Sequence, residues 1–150
     1  MAYAALKGID VFRTDIKNAY LSSPCEEKVW TVLGPEFGSK REGKRAKIVR
    51  SLHGLKSAGA SYRHHLATCM EHLGFESCKT NPDVWLRPNK DHAGHEFYEY
   101  VLIYTDDLLT IGKDPNMILR RIDKYFELKP RSIGPPDIYL GAKLRKVNVN

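Results

Sequence analysis

The most regular alternation in the chain lies between Phe97 and Gly112. Phe97-Tyr98-Glu99-Tyr100-Val101-Leu102-Ile103-Tyr104 leads through Thr105 to Asp106-Asp107, and Leu108-Leu109-Thr110-Ile111-Gly112 follows. Two β-rich arms around one acidic pair predict an antiparallel hairpin. Gly8 to Asp15 carries β-branched and aromatic residues at near-alternating positions and predicts a strand running into Asp15. From about Ser57 to Leu73 the period changes to that of a helix, with Tyr62, Leu66, Met70 and Leu73 along one face and Gly74 as its stop. Tyr62, Cys69, Met70 and Leu73 are accordingly assigned to core packing. Asp114-Pro115 reads as an N-cap followed by proline at the first helical position, and Ile118, Ile122 and Phe126 give that second helix its buried stripe.

Weaker patterns fill the intervals. A helical turn is predicted from Asn18 to Ser22, closed by Pro24, then a strand from Lys28 to Leu33, a basic loop from Gly38 to Lys44 and a strand near Lys47 to Leu52. Asp83 to Arg87 predicts a further strand. A short segment at Glu127 to Lys129 leads through Gly134-Pro135-Pro136 to a last strand, Ile138 to Val147. This order implies an α+β fold, an antiparallel sheet with helices packed on one face. No repeat, low-complexity tract or Ser/Pro-rich linker divides the 150 residues, so one domain with one core is expected.

Composition narrows the class. Hydrophobic residues at 42% and charged residues at 28% predict a packed, soluble chain rather than a disordered one. The formal net charge of +6 favours polyanionic partners only mildly. Its distribution says more: Lys40, Arg41, Lys44, Arg45, Lys47 and Arg50 form one basic run, and Lys124, Lys129, Arg131, Lys143, Arg145 and Lys146 a second. Either run could lie along a phosphate backbone or be a solvated loop and a lysine-rich edge strand. Cys25, Cys69 and Cys78 match no zinc or redox spacing, the six histidines form no zinc constellation, and no apolar stretch is long enough to span a membrane. An intracellular protein with reduced thiols is expected.

The acids carry the candidate chemistry. Nucleotide polymerisation needs two divalent cations about 3.5–4 Å apart, and hard cations take carboxylate oxygens. A strand that ends in an aspartate beside a hairpin bearing two more can supply them, and Asp15 with Asp106-Asp107 has that local form. Ordinary turn chemistry would also explain the pair, since aspartate is favoured where a hairpin reverses. Against it stand the apolar arms on both sides, which make two carboxylates costly unless a cation or donor compensates.

Four motifs carry a family resemblance. Tyr104-Thr105-Asp106-Asp107 resembles the Tyr-x-Asp-Asp signature of reverse transcriptases, and Asp15-Ile16-Lys17-Asn18-Ala19-Tyr20-Leu21 resembles their first catalytic segment. With Leu52-His53-Gly54-Leu55-Lys56-Ser57-Ala58-Gly59 and Tyr139-Leu140-Gly141, the order and spacing are similar to the copia-type retrotransposon enzyme over nearly the whole chain. The resemblance implies an RNA-directed DNA polymerase, transferring a nucleotide from a dNTP to a primer 3′ hydroxyl with two Mg2+, or Mn2+ in their place. It makes Asp15 and Asp106 the main metal ligands and Asp107 the third carboxylate, with the Ile16 carbonyl in the coordination sphere. Tyr20 would lie under the incoming sugar and exclude a 2′-hydroxyl. His53, Gly54 and Lys56 would shape the nucleotide pocket, although the family often has tyrosine where His53 stands. Lys129 would serve the nucleotide, as a proton donor to pyrophosphate. Tyr104 and Thr105 would contact the primer and template, Thr105 standing where valine is usual, and Tyr139, Leu140 and Gly141 would grip the primer.

The implied partners are an RNA template, a DNA primer or RNA–DNA heteroduplex, dNTPs and the rest of a polyprotein, with no membrane. The implied setting is cytoplasmic, in a virus-like particle, or nuclear. Residues 1–150 would be a truncated palm domain, with fingers missing before residue 1 and a thumb and ribonuclease H missing after residue 150, inactive as an isolated fragment. Two other readings stay open: a catalytically dead remnant that binds nucleic acid through its basic surface, and an α+β scaffold whose acidic turn is structural.

Overall fold

A computed structural model of the chain describes residues 1–145. In chain order these form α1 (Ala2–Lys7), β1 (Asp10–Asp15), β2 (Trp30–Val32), β3 (Arg45–Lys47), α2 (Ala58–His72) and β4 (Glu76–Ser77). There follow β5 (Val84–Lys90), β6 (Glu96–Tyr104), β7 (Asp107–Gly112), α3 (Pro115–Ile122), β8 (Ile138–Tyr139) and β9 (Ala142–Lys143), and 3-10 turns occupy Ala19–Ser22 and Pro35–Phe37. The residues gather into two compact units, one of Met1–Lys17 with Thr68 onward, the other of Asn18–Ala67. No helix among the described residues is long and apolar enough to cross a membrane.

The first unit is built on a five-stranded antiparallel sheet in the order β1-β7-β6-β5-β4. Between β1 and β6, Leu108 to Gly112 of β7 are buried without alternation, as befits a strand covered on both faces. Cross-strand partners share a face, so Val11, Arg13 and Asp15 lie on the side of Ile111, Leu109 and Asp107, and of Tyr100, Leu102 and Tyr104. The opposite side, with Thr14, Leu108, Thr110 and Val101, is almost wholly removed from water. α3 packs against β7 and β1, and its Ile118, Leu119 and Ile122, with Phe126 just beyond, are fully or nearly fully buried. Asp114 caps that helix by accepting the Met117 N–H at 3.0 Å.

Several expectations change. α1 has no apolar period long enough to announce it, yet Ala4 joins Ile9 and Ile111 in a small core flanked by Tyr3, Val11, Tyr100 and Leu102. Ile111 and Gly112 point to opposite faces, and Gly112 is the one close to Ile118 of α3. α1 and α3 therefore cover opposite faces, and the expectation of helices on one face is corrected. The strand predicted from Gly8 begins at Asp10, because Gly8 closes α1 in the left-handed conformation. The strand predicted near 47 to 52 is β3, which ends at Lys47, since the register Trp30↔Lys47, Thr31↔Ala46 and Val32↔Arg45 exhausts the length of β2.

The single last strand is instead a hairpin. Tyr139 pairs with Ala142 around Leu140 and Gly141, both at positive φ, 48° and 77°. That pair of left-handed residues is what a two-residue hairpin loop requires. Lys146 and Val147, assigned to the second basic run and to that strand, lie outside the described residues.

In the second unit, β2 and β3 pair as a separate ribbon, and the Ser51 hydroxyl donates to the Pro24 carbonyl at 2.9 Å. Glu27 accepts the Ser57 N–H at 2.8 Å, and hydrogen bonding from Ser57, its side chain first and then this N–H, with Lys56 adding its charge, holds the Glu27 carboxyl below its ordinary value.

Candidate active site

β1 and β7 end together, and this brings the acids into contact. The register pairs Asp15 directly with Asp107, both on the face that carries exposed Tyr104. Asp107 is pushed up to about 6. The first cause is its side-chain hydrogen bond with Asp15, which the protonated acid can donate and two carboxylates cannot share. Burial comes next, then the negative charges of Asp15 and Asp106, with Arg13 opposing them. Asp106 is in the loop between β6 and β7, half-exposed, with Lys129 Nζ 3.7 Å from its carboxylate.

Backbone bonds fix this arrangement. The Ile16 N–H donates to the Asp106 carbonyl at 2.7 Å, and the Lys129 N–H donates to the Asp15 carbonyl at 2.8 Å. The Ile16 side chain is fully buried, anchoring the end of β1. Thr105, the first residue of the loop, is left-handed at φ 53°, a conformation that disfavours a β-branched side chain. Threonine there thus carries backbone strain.

Sequence reasoning missed Arg13. It lies 3.7 Å from the Asp15 carboxylate and donates to the Ile138 carbonyl at 2.6 Å, tying β8 to the acid-bearing strand. The signal was available, because two residues before Asp15 on a strand means the same face. Ser132 had no such signal; its hydroxyl bonds Thr14 Oγ1 at 2.7 Å and receives the Asp15 N–H at 3.3 Å. The half-buried Tyr139 phenol is pushed up by burial first, and then by the charges of Asp107 and Asp83. Asp15, Asp106, Asp107, Lys129 and Tyr139 are thus gathered at one end of the sheet, with Leu140 and Gly141 in the loop that follows Tyr139. Among the described residues, no group of three or more His, Cys, Asp or Glu side chains is assembled as a ready metal shell. Asp15 and Asp107 form a close pair, with a third acid, Asp106, beside a lysine.

Tyr20, His53, Gly54 and Lys56 belong to the second unit. Tyr20 and His53 meet edge to face with ring centroids 5.3 Å apart, and Tyr20 and Tyr62 likewise at 5.7 Å. Tyr20 and His53 line a cavity of about 510 Å3 with Asn18, Ala19, Leu21 and Leu52. Gly54 sits at φ 95°, where a side chain would be strained, and Lys56 is exposed; neither lines that cavity.

Residues 1–148 match the family model described as reverse transcriptase (RNA-dependent DNA polymerase). The chain belongs to the reverse transcriptase family. It is 27% identical to a retrovirus-related Pol polyprotein from transposon TNT 1-94 of Nicotiana tabacum, over 96% of this chain and 11% of that protein. A putative transposon Ty5-1 protein of Saccharomyces cerevisiae is 22% identical over 88% of this chain and 42% of its own length. The Pol polyprotein from transposon RE1 of Arabidopsis thaliana is 27% identical over 73% of this chain and 7% of its own. The chain spans less than half the length of each of these relatives. It is a retrotransposon reverse transcriptase fragment.

Proposed function

We propose that this chain carries the nucleotidyl-transfer centre of an RNA-directed DNA polymerase within a copia-type retrotransposon polyprotein. The observation that carries the reading is the pairing of Asp15 with Asp107, two carboxylates forced together at the end of a sheet. A purely structural turn gains nothing from that pairing, because one acid must hold a proton well above its ordinary range. A cation-binding centre does gain, since a divalent ion replaces the proton and satisfies both oxygens at once.

The donor set fits divalent magnesium or manganese: Asp15 and Asp107 as a pair, Asp106 once it leaves Lys129, and the Ile16 carbonyl beside them. When bound, such ions lower the pKa of the primer hydroxyl and stabilise charge on the departing phosphate. The chain's own residues do the rest. Arg13 holds the Asp15 carboxylate in place while anchoring β8, so that Tyr139, Leu140 and Gly141 stand beside the acids to position a primer end. Lys129 neutralises Asp106 and becomes available to phosphate oxygens when that carboxylate turns to a cation. Tyr104 and Thr105 present the loop to the primer–template. In the second unit, the Tyr20 ring, held by edge contacts with His53 and Tyr62, forms a wall against a 2′-hydroxyl, and Gly54 and Lys56 follow His53 in the chain as further contacts for the nucleotide.

We read residues 1–150 as a palm domain whose fingers, thumb and ribonuclease H come from the rest of the polyprotein. The 150-residue chain alone then gives little or no primer extension, because little of the surface that would clamp a heteroduplex is on it. Primer extension on an RNA template by the polyprotein containing this chain tests the reading. Asp15→Asn or Asp107→Asn is expected to lower the rate by at least ~100-fold, and a variant with undiminished synthesis would overturn it.

A further inference from the structure

The segment after α3 runs back along β1, and its pairing changes register at Asp15. Arg13 and Gly134 exchange both backbone hydrogen bonds, the Arg13 N–H donating at 2.8 Å and the Gly134 N–H at 3.2 Å. Continued along the strand, that register would set Ser132 opposite Asp15 and offer the Ser132 carbonyl to the Asp15 N–H. From the other end, Ile16 bridges Leu128 and the Asp15 carbonyl accepts the Lys129 N–H at 2.8 Å, which sets Lys129 opposite Asp15 instead. The two registers differ by three residues. Pro130, Arg131 and Ser132 are the excess, bulged out beside the acid, with Arg131 held left-handed at φ 66°.

In either register the Asp15 N–H would donate to a backbone carbonyl. Instead a side chain is interposed. Ser132 Oγ receives that N–H at 3.3 Å, donates to the Lys129 carbonyl at 2.8 Å and meets Thr14 Oγ1 at 2.7 Å. A carbonyl only accepts and an amide N–H only donates, so the Ser132 proton goes to Lys129 and Thr14 gives its own proton to Ser132. The one donor and both lone pairs of the serine hydroxyl are then engaged. A ring closes: Asp15 N–H to Ser132, Ser132 O–H to the Lys129 carbonyl, Lys129 N–H to the Asp15 carbonyl. Lys129 also carries the ammonium that lies 3.7 Å from Asp106. Thr14, 1% exposed, anchors the ring in the core.

We propose that Ser132 is the positioning residue of the acid cluster. Its hydroxyl clamps the Asp15 peptide, and through the ring it sets where the Asp15 carboxylate faces Asp107 and from where Lys129 reaches Asp106. Neither neighbouring register could do this alone, because the slip that brings Lys129 to Asp106 is the one that takes the ladder carbonyl away from the Asp15 N–H. The consequence for metal and catalysis rests on the nucleotidyl-transfer reading, whereas the clamp itself does not.

The chain is examined first in chelator and then with Mn2+ alone. Amide exchange followed by NMR should find the Asp15 N–H exchanging roughly 2- to 12-fold faster in Ser132→Ala, measured against the core amide of Val101, as for loss of one ordinary hydrogen bond. Mn2+ affinity, read from the paramagnetic resonance of the free ion, should fall roughly 10- to 100-fold, the range for losing a group that orients a metal ligand. Ser132→Ala also orphans the buried Thr14 hydroxyl, which lowers stability by itself. Adding Thr14→Val removes that orphan, so the urea midpoint should climb back towards wild type while Mn2+ affinity stays low. In the polyprotein the double variant should lower kcat for primer extension and leave KM for dNTP nearly unchanged.

Unchanged Asp15 exchange in Ser132→Ala, or Mn2+ affinity recovering in step with stability in the double variant, would overturn the proposal. A wild-type chain that takes up no Mn2+ would contradict the nucleotidyl-transfer reading instead, and the clamp would then stand or fall on the Asp15 exchange.

Discussion

Replacing Asp107 by asparagine should stabilise the metal-free chain, and only above a definite pH. Asp107 moves from an ordinary 3.8 to about 6 on folding. The folded chain therefore binds this proton more tightly than the unfolded chain does. The stabilisation from that proton is complete below about pH 4 and is lost as pH rises through about 6. A shift of two units corresponds to about 3 kcal/mol, and partial exposure of Asp107 screens this to roughly 1–2 kcal/mol. Asparagine cannot ionise, and its amide can still donate to Asp15. Urea denaturation in chelator should find the variant and wild type alike near pH 4, with the variant about 1–2 kcal/mol more stable at pH 8. Excess Mg2+ should narrow the gap at pH 8, adding about 1.4 kcal/mol to the wild type at tenfold over its dissociation constant and less to the variant. Parallel pH profiles for the two proteins would refute the reasoning.

Other positions give separate checks. Arg87 donates to buried Glu99 from Nε at 3.0 Å and Nη2 at 2.6 Å, and to the Leu73 carbonyl at 2.6 Å. Arg87→Met should cost about 3–5 kcal/mol in urea denaturation, most of it recovered by adding Glu99→Gln. Leu140 is half-exposed at φ 48° before Gly141, so Leu140→Asn, giving the preferred Asn-Gly loop, should raise stability by about 0.5–1 kcal/mol in the same assay. In primer extension by the polyprotein, on the proposed function, Tyr20→Ala should relax the preference for dNTPs over ribonucleotides, read from the ratio of kcat/KM values; an unchanged ratio would remove Tyr20 from the sugar pocket.

What the sequence made legible follows from which interactions are local. The alternation of Phe97 to Tyr104, the period of Tyr62, Leu66 and Met70, and the Asp114-Pro115 cap are set within a few residues, and β6, α2 and α3 lie where these patterns put them. α1 was not legible because six residues with one buried alanine leave no period to detect. The β8–β9 hairpin was hidden because leucine, not asparagine, stands before Gly141, so the apolar run reads straight through the turn. β3 was misplaced because Ile48, Val49 and Leu52 look more strand-like than Arg45-Ala46-Lys47, and pairing with β2, not propensity, decides.

The same division holds at the candidate site. The three acids and Lys129 could be named from motif order, but which carboxyl meets Asp15 depends on the β1–β7 register, a long-range pairing. That register sets Asp107 against Asp15 and leaves Asp106 beside Lys129, a distribution that motif order does not encode. Arg13 lay within reach of a period-two argument. Ser132 and Tyr139 depend on how the segment after α3 folds back along β1 through the Arg13–Gly134 and Ile16–Leu128 bridges, which no short pattern encodes.

The most direct test is a carboxyl carbon NMR titration of aspartates in the metal-free chain, repeated with Mg2+. Asp107 should titrate near 6, and its midpoint should fall when Mg2+ competes with the shared proton. A midpoint near the ordinary 3.8, indifferent to Mg2+, would mean that the acids neither share a proton nor await a cation, and the proposed nucleotidyl-transfer centre would be contradicted.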